Sequence, residues 1–222
     1  MSEKVLNLLM DSFTKILIPG IKVTIPLTVI SFSLAMVIAV LTAMVQYANI
    51  QGLKQLARFY IWIIRGTPVL VQLYIVFYGL PSVGIMLDPF PAAVAVFSIN
   101  EGAYCAETMR AAIESVPVGQ LEAGYCVGMS WWQIMRRIVL PQAFRTAFPP
   151  LSNSAIALVK DTSLAANITV AEMFMTTQRI AARTYEFLPL YCEVALIYLI
   201  FSTVLTKLQR AGEKRLNAHG FN

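Results

Sequence analysis

The uncharged, apolar stretch Thr24–Tyr47 constrains the fold more than any other feature of the chain. A helix of about 20 mostly apolar residues spans the hydrocarbon layer of a membrane, and this stretch is long enough to do so. It is longer than the apolar part of a signal peptide and no A-x-A cleavage pattern follows it, so we interpret it as a retained span. The composition agrees, because 58% of the residues are hydrophobic and 13% are charged, against about a quarter charged in soluble domains. The sequence therefore predicts an integral membrane protein.

Five stretches have the length and apolar character of spanning helices. They are Thr24–Tyr47, Gly66–Leu80 extended back to Phe59 by "FYIWII", Pro91–Ile113, Arg145–Val159 and Phe187–Thr206. The fourth is short, and we expect the Pro149-Pro150 pair to interrupt it. We predict an all-α, polytopic protein with five transmembrane helices, in which residues 1–222 form a single transmembrane domain.

The positions of the basic residues predict the orientation, because Lys and Arg collect on the cytoplasmic side of membrane proteins. With the amino terminus outside, the inner side receives Lys54 with Arg58, then Arg136, Arg137 and Arg145, and finally Lys207, Arg210, Lys214 and Arg215. The outer loop "PSVGIMLDPFP" carries no positive charge, and residues 160–186 balance three positive charges with three negative ones. We therefore predict an N-out, C-in topology.

Several functions require motifs or residue types that this sequence does not contain. The net charge of +5 is not accompanied by a basic run with interleaved aromatics, so we expect no nucleic-acid partner. The three cysteines form no CxxC pair and His219 is the single histidine, which leaves zinc, thiol-redox and histidine-base chemistry without ligands or bases. No G-x4-G-K-[ST] loop occurs, so ATP chemistry has no phosphate-binding loop here. We expect no cofactor on this chain.

A polar segment, Gln120–Ala143, stands between the third and fourth predicted spans and is predicted to be cytoplasmic. Within it, "MSWWQIMRRIVL" places apolar residues at spacings of three and four, which predicts a short surface helix. Gly128 permits a bend before that helix, and Pro141 either ends it or starts the next span. A helix lying in the lipid interface, where Trp and Arg are common, fits the same pattern.

The spacing of residues in this segment resembles a known motif. Glu122-Ala123, Gly128 and Ile138-x-Leu140-Pro141 match the E-A-A-x3-G-x9-I-x-L-P motif of ABC-importer permease subunits, with Gly124 in place of the second Ala. The stretches "RFYIWIIRGTPVLVQLYIVFYGLP", "AYCAETMRAAIESVPVGQ" and "PPLSNSAIALVKDTSLAA" are similar to the polar amino acid branch of these permeases, and the last is most like its cystine permeases. The chain is thus identified as a type I importer permease.

This resemblance implies a set of partners and a location. Permeases of this family have a five-helix core and lie in the bacterial inner membrane. They work with a second permease copy or paralogue, a dimer of ATPase subunits that binds ATP and Mg, and a periplasmic or lipid-anchored solute-binding protein. The implied substrate is a polar amino acid, with cystine favoured over histidine, arginine, glutamine or glutamate.

The resemblance also implies that residues 114–143 form the segment that couples the permease to the ATPase. Glu122 either provides a charge at a helix N-terminus or pairs with a basic group of the partner. Trp131 and its neighbour Trp132 serve as interface anchors, as ATPase contacts, or as one of each. The candidate coupling residues are Glu122, Ala123, Gly124, Gly128, Trp131, Arg136, Ile138, Leu140 and Pro141.

Polar and charged residues inside predicted spans are costly and are therefore candidates for function. On the third span, Glu101, Tyr104 and Thr108 share one face, whereas Glu107 and Arg110 continue to Glu114 on another. Local pairing of Glu107 with Arg110 is one interpretation of the second face. The Glu101 face, with Asn100, suits a zwitterionic amino acid, which needs acceptors for its ammonium and donors for its carboxylate.

Two further stretches are candidates for the substrate pathway. In "LVKDTSLAA", Lys160 and Asp161 either follow a broken helix that lines a cavity or form a neutral pair at a helix end. In "RGTP", Arg65 either marks the membrane edge or precedes a helix break that frees carbonyl groups. The candidate substrate-pathway residues are Arg65, Gly66, Thr67, Asn100, Glu101, Tyr104, Glu107, Lys160, Asp161, Thr162 and Ser163.

Two other classes compete with an importer permease. An ATPase-independent secondary transporter or channel leaves the coupling motif without a purpose, and no inverted repeat is evident. A membrane-embedded enzyme needs an acid-base, metal or nucleophile set that the scattered Glu residues do not supply. The sequence therefore favours a transport subunit whose energy comes from another chain.

Overall fold

The computed structural model describes residues 3–47 and 51–218, and in these ranges its secondary structure consists of helices joined by short turns and loops, without β-strands. His219 lies outside the described residues. The α-helices are α1 Glu3–Pro19, α2 Ile25–Tyr47, α3 Gln51–Gly66, α4 Val69–Tyr74, α5 Pro89–Glu114, α6 Val118–Cys126, α7 Trp131–Ile134, α8 Leu140–Asp161, α9 Met173–Thr184 and α10 Phe187–Ala218. π-Helical turns occupy Gly20–Thr24, Ile75–Gly79 and Met135–Val139, and 3₁₀ turns occupy Leu80–Val83 and Thr162–Ile168.

The first helix is much longer than the sequence predicted. A π-helical turn joins α1 to α2, so Glu3–Tyr47 forms one helix of 45 residues. At 1.5 Å per residue it is about 68 Å long, roughly twice the hydrocarbon layer. The predicted span Thr24–Tyr47 is the second part of this helix, and α1 was not predicted. Gly20 in the turn lies against α9, because a Cβ atom there would come within 2.5 Å of Met173 Sδ.

The pair formed by α2 and α5 lies at the centre of the fold. The face of α2 toward α5 is built from small residues, with Ala35, Ala39 and Ala43 buried at four-residue spacing. On α5, Gly102 sits so close to α2 that a Cβ atom would lie 2.8 Å from Ile38 Cγ2. Small residues allow two helix backbones to approach closely, as is typical of packing within membranes. This pair therefore fixes the position of α5, which carries most of the candidate site.

The second predicted span is not one straight helix. The helical segments Gly52–Gly66 and Val69–Val83 meet at an angle of 101°. Pro68 explains the break, since its backbone is extended and proline disfavours a helical conformation at the preceding residue. The predicted break at "RGTP" is therefore confirmed, and the predicted span Phe59–Leu80 lies in a bent pair of helices.

Length and hydropathy single out fewer spans than predicted. Within residues 3–47 and 51–218, Glu3–Tyr47 and Phe187–Leu216 are long and apolar enough to cross a membrane, and the bent pair, if it is one span, raises the number to three. α5 contains the predicted third span and α10 contains the fifth. Five spans and the N-out, C-in orientation thus remain predictions.

The fourth predicted span differs from the structure in two ways. α8 runs without interruption from Leu140 to Asp161 through Pro149-Pro150, so the prediction of a short, broken helix is wrong. Gln209 of α10 reaches this point, with its Nε2 3.4 Å from Pro149 O and 3.1 Å from Asn153 Oδ1. A neighbouring helix with a polar side chain can support a proline inside a membrane helix.

The short surface helix predicted over "MSWWQIMRRIVL" is not a separate helix in the structure. α7 continues through the π-helical turn Met135–Val139 into α8, so "MSWWQIMRRIVL" forms the beginning of a long helix. Pro141 lies in the first turn of α8, in agreement with the second of its two predicted roles. The separate short helix is α6, which carries Glu122, Ala123 and Gly124.

A third group of helices, α1, α9 and α10, shares its own apolar cluster around Ile16, Met173, Val194 and Ile197. The sequence did not predict α9, because its polar face carries two arginines and its hydropathy is low. Buried carboxylates tie this group together. Ser12 Oγ donates to Glu193 Oε2 at 2.6 Å, which connects α1 to α10.

The other buried carboxylate caps α9. Glu172 is fully buried and accepts hydrogen bonds from the backbone N–H groups of Phe174 and Met175 at 2.8 and 2.7 Å. Tyr198 of α10 donates its hydroxyl to the same carboxylate at 2.9 Å. An N-cap carboxylate satisfies orphan donors of a helix and complements its dipole, so Glu172 stabilises both α9 and its contact with α10.

Candidate functional site

The bend between α3 and α4 opens a cavity of about 540 Å³ that faces α5 and the end of α8. Seven of the predicted substrate-pathway residues line it: Arg65, Gly66, Thr67, Asn100, Glu101, Tyr104 and Asp161. Pro68, Val69, Ser154 and Ala157 complete the lining. Residues from three distant parts of the sequence therefore meet in one polar cavity.

The cavity carries one cationic and two carboxylic side chains. The Arg65 guanidinium stands over the Tyr104 ring, with its Cζ atom 5.1 Å from the ring centroid. Glu101 is 9% exposed and its Oε1 lies 3.8 Å from Cys105 Sγ, one helical turn away. Asp161 ends α8 and lies at the opposite wall. A guanidinium binds carboxylates and a carboxylate binds ammonium groups, so these groups suit a zwitterionic ligand.

The backbone carbonyls at the bend are satisfied by side chains. Gln72 Nε2 donates to Ile64 O at 2.9 Å and to Thr67 O at 3.2 Å. Thr67 Oγ1 donates to Ile63 O at 3.0 Å. The carbonyls of Ile63, Ile64 and Thr67 therefore have side-chain donors. That the break frees carbonyl groups for a ligand stays a prediction.

Gln72 is a site residue that the sequence analysis missed. Besides bridging the bend, it accepts a hydrogen bond from Asn100 Nδ2 at 3.1 Å and so links α4 to α5. A single Gln in an apolar run is a signal that could have found it, because an amide within a span needs partners. Gln72 holds the shape of the bend and orients Asn100 toward the cavity.

The remaining four substrate-pathway candidates lie elsewhere. Lys160 and Ser163 line another cavity of about 790 Å³ beside α10, and Thr162 is buried with its hydroxyl donating to Val159 O at 2.7 Å. Glu107 faces a neighbouring cavity, where Arg110 Nε and Nη2 donate to its two oxygens at 3.2 and 2.9 Å. The predicted local pairing of Glu107 with Arg110 is therefore confirmed.

The candidate coupling residues occupy α6 and the start of the long helix. Glu122 and Ala123 are exposed on α6, whereas Gly124 is buried. A Cβ atom on Gly124 would lie 2.7 Å from Ile134 Cγ1, so this glycine allows α6 to pack against α7. Gly128 has a φ of 75° and closes the turn, and Met129 N donates to Gly124 O at 3.0 Å.

The helix after this turn begins with a capping box. Ser130 Oγ accepts from Gln133 N at 3.4 Å, and Gln133 Oε1 accepts from Ser130 N at 2.8 Å. Trp131 packs 5.9 Å from the Tyr47 ring of α2, measured between centroids, while Trp132 is 70% exposed. The two tryptophans therefore have different environments, and Trp132 is more exposed to lipid or to a partner than Trp131, which is 38% exposed.

The other coupling candidates differ in their exposure. Arg136, Leu140 and Pro141 are exposed, and Ile138 is half-buried. The exposed residues of α6 and of the long helix surround the buried contact between Gly124 and Ile134. Among the described residues, no group of three or more His, Cys, Asp or Glu side chains is placed to hold a metal ion.

Comparisons with known proteins define the class of this protein. Residues 35–218 match the family described as the binding-protein-dependent transport system inner membrane component, and the chain belongs to this family. It is 48% identical over 214 residues to the L-cystine transport system permease protein TcyB of Bacillus subtilis, covering 96% of this chain and 92% of that protein. It is 37% identical over 203 residues to the glutamine transport system permease protein GlnP of Escherichia coli, covering 90% and 93%.

A solved structure agrees with these relatives. The crystal structure of an amino acid ABC transporter with histidines superposes with a TM-score of 0.89 at 32% identity, covering 97% of this chain and 100% of that chain. The resemblance to polar amino acid permeases of ABC importers is therefore confirmed, and so is the all-α permease fold.

Proposed function

We propose that this chain is the translocating subunit of an importer that carries a polar amino acid across the bacterial inner membrane. ATP hydrolysis takes place on a separate ATPase dimer, a second permease copy or paralogue completes the membrane part, and a solute-binding protein delivers the substrate. Cystine is the favoured substrate, because the relative at 48% identity is named a cystine permease. Five spans with the amino terminus outside place α6 on the ATPase side.

The main support for this proposal is the cavity at the α3–α4 bend. Its Arg65 guanidinium stands ready for a substrate carboxylate, while Glu101 and Asp161 are acceptors for an ammonium group. Asn100, held by Gln72, adds an amide that can donate and accept. An amino acid has both charges at a fixed separation, so one cavity with both signs binds it without leaving either charge unpaired.

The α6 surface provides the route by which ATP hydrolysis acts on the cavity. Its buried contact with Ile134 joins α6 to α7, which continues into α8 and ends at Asp161 in the cavity wall. A movement of α6 by the ATPase is therefore transmitted along one continuous helical path of 31 residues, from Trp131 to Asp161. This path supports the assignment of residues 114–143 as the coupling segment.

The test is a purified complex of this chain with its ATPase and binding protein, assayed for ATP hydrolysis against a panel of amino acids. We expect cystine to stimulate hydrolysis more than glutamine, histidine or arginine. Stimulation by none of the amino acids in the panel would refute the proposed function. Stronger stimulation by another amino acid would refute cystine as the substrate and leave the transport class intact.

The cavity assignment has its own test in Asp161→Asn. Removing this charge while keeping the shape should raise the concentration of amino acid needed for half-maximal transport by about tenfold, since a hydrogen bond to a charged group contributes about 1.5–3 kcal/mol. Asp88→Asn is the matched control, because Asp88 is exposed in the loop before α5. An Asp161→Asn complex that assembles and transports with unchanged affinity would remove Asp161 from the site.

A further inference from the structure

A second charged cavity lies beside the first along the contact between α3 and α5. It has a volume of about 630 Å³, and its charged lining residues are Lys54, Arg58, Glu107, Arg110 and Glu114. Gln46, Tyr47, Ile61 and Trp62 complete the lining. None of the sequence motifs and none of the steps of the proposed function accounts for this cavity.

The two cavities follow one another in the same order on both helices. On α5, Glu101 and Tyr104 line the first cavity, and Arg110 and Glu114 line the second. From Glu101 to Arg110 the helix rises by about 14 Å. On the antiparallel α3, Arg65 lines the first cavity and the residues before it line the second. The cavities are therefore consecutive chambers along one seam.

An ion pair stands where the chambers meet. Arg65 belongs to the first cavity and Glu107 to the second, and Arg65 Nη1 lies 3.9 Å from Glu107 Oε2. This contact is long for an ion pair, and 44% of the Arg65 side chain is exposed. Glu107 is held more firmly by Arg110, through two hydrogen bonds of 3.2 and 2.9 Å. Arg65 can therefore leave Glu107 without leaving that carboxylate unpaired.

The position of Arg65 in the chain makes its separation from Glu107 sensitive to movement. It is next to the last residue of α3, directly before the 101° bend, and a Cβ atom on the adjoining Gly66 would meet nothing within 4 Å. A change in the bend moves the guanidinium relative to α5, which is fixed by its packing on α2. A few residues at a helix end are sufficient to act as such a hinge.

On the basis of the proposed function, we infer that the second cavity is a second binding site, which the zwitterionic amino acid occupies as it leaves. The Arg65–Glu107 ion pair is the gate between the two cavities. In the first cavity the substrate carboxylate binds Arg65. When Glu107 takes the guanidinium back, the carboxylate is released toward Arg58, and Glu114 is an acceptor for the ammonium group. The pair thus closes the passage behind the departing substrate.

The gate is tested with Glu107→Gln in the full complex reconstituted in vesicles, using radiolabelled cystine. Loss of a partly exposed ion pair changes an opening equilibrium by about two- to fivefold. We expect ATP-independent efflux from preloaded vesicles to rise by that factor, while the concentration for half-maximal uptake does not rise, because the substrate carboxylate no longer competes with Glu107 for Arg65. Asp11→Asn is the matched control, because Asp11 forms an exposed ion pair with Lys15 on α1. The control should leave efflux at the level of the unmodified complex.

Three results would overturn the inference. The first is efflux that is the same in Glu107→Gln and Asp11→Asn. The second is a loss of substrate affinity in Glu107→Gln that accounts for its transport defect, since Glu107 would then be a direct ligand. If Glu107→Gln does not assemble, Glu107→Asp replaces it in the experiment, because this variant keeps the charge but has a shorter side chain that does not reach Arg65 as well. Unchanged efflux in Glu107→Asp is then the third result that would overturn the inference. An unmodified complex without ATP-driven uptake would instead refute the proposed function.

Discussion

Gly124 is the position at which the structure makes its sharpest prediction about coupling. It replaces the second Ala of the family motif, and it is buried where α6 packs against α7. A Cβ atom there would lie 2.7 Å from Ile134 Cγ1 and 3.1 Å from Ile134 Cδ1. Contacts under 3.0 Å require a shift of the neighbouring residue, and Ile134 is only 1% exposed. Gly124→Ala should therefore displace α6 relative to α7.

The size of the effect follows from two opposing contributions. Alanine favours a helix over glycine by about 1 kcal/mol. Forcing an extra methyl group into a packed contact costs about 1–3 kcal/mol. Gly119→Ala is the matched control, because Gly119 lies on the same helix and a Cβ atom there meets nothing within 4 Å. The difference between the two variants removes the helix contribution, and we expect Gly124→Ala to be less stable by about 1–3 kcal/mol.

The assay measures both stability and coupling in the purified complex. For a chain of this size, 1 kcal/mol lowers the unfolding midpoint by about 2–4 °C, so the two variants should differ by about 2–12 °C. The ratio of substrate-stimulated to basal ATP hydrolysis should fall in Gly124→Ala and persist in Gly119→Ala. Removing the obstructing side chain with Ile134→Ala should abolish the additional effect of Gly124→Ala. Equal behaviour of the two alanine variants in both measurements would refute the packing argument.

Two other contacts make predictions of the same kind. Ser12→Ala removes the donor to the buried Glu193 carboxylate and should lower the free energy of unfolding by about 1–3 kcal/mol; a midpoint equal to that of the exposed Thr14→Ala control would contradict this. Gln72→Leu leaves two carbonyls at the bend without their side-chain donor and should reduce amino acid-stimulated ATP hydrolysis in a complex that still assembles. Hydrolysis at the level of the exposed Gln55→Leu control would show that Gln72 does not hold the bend.

The helices that hydropathy predicted are those whose residues are apolar along most of their length. α2 and α10 coincide with predicted spans and belong to helices long and apolar enough to cross a membrane. α5 contains the third predicted span, although its charged residues lower its hydropathy. α1 and α9 were missed because charged residues interrupt their apolar faces. Their stability comes instead from contacts with each other and with α10, and a single sequence does not show such contacts.

Prolines were the main source of error in the predicted helices. Pro68 breaks the chain, whereas Pro149-Pro150 lies inside a continuous helix. The local effect of proline is the same in both places, since each lacks an N–H donor. At Pro149-Pro150 the helix continues, and Gln209 of α10 contacts it there through Pro149 O and Asn153 Oδ1. The local effect of a proline therefore does not by itself decide whether a helix ends.

The sequence analysis predicted the charged residues of the candidate site, but it did not predict how the polar residues divide between separate cavities. The cost of charges within predicted spans indicated Arg65 and Glu101, and the polar stretch "LVKDTSLAA" indicated Asp161; the structure brings all three to one cavity. The same argument grouped Lys160 with Asp161, although the two neighbours line different cavities. Adjacent residues at a helix end point in different directions, about 100° apart on an α-helix, so a run of polar residues does not define one site.

ATP-driven uptake in reconstituted vesicles tests the central claim most directly. The complex of this chain with its ATPase and binding protein is placed in vesicles, and radiolabelled cystine is followed with and without ATP on the ATPase side. The account predicts accumulation against the gradient only when ATP and the ATPase are both present. Equal accumulation by this chain alone, without the ATPase, would contradict it and would assign the chain to the secondary transporters.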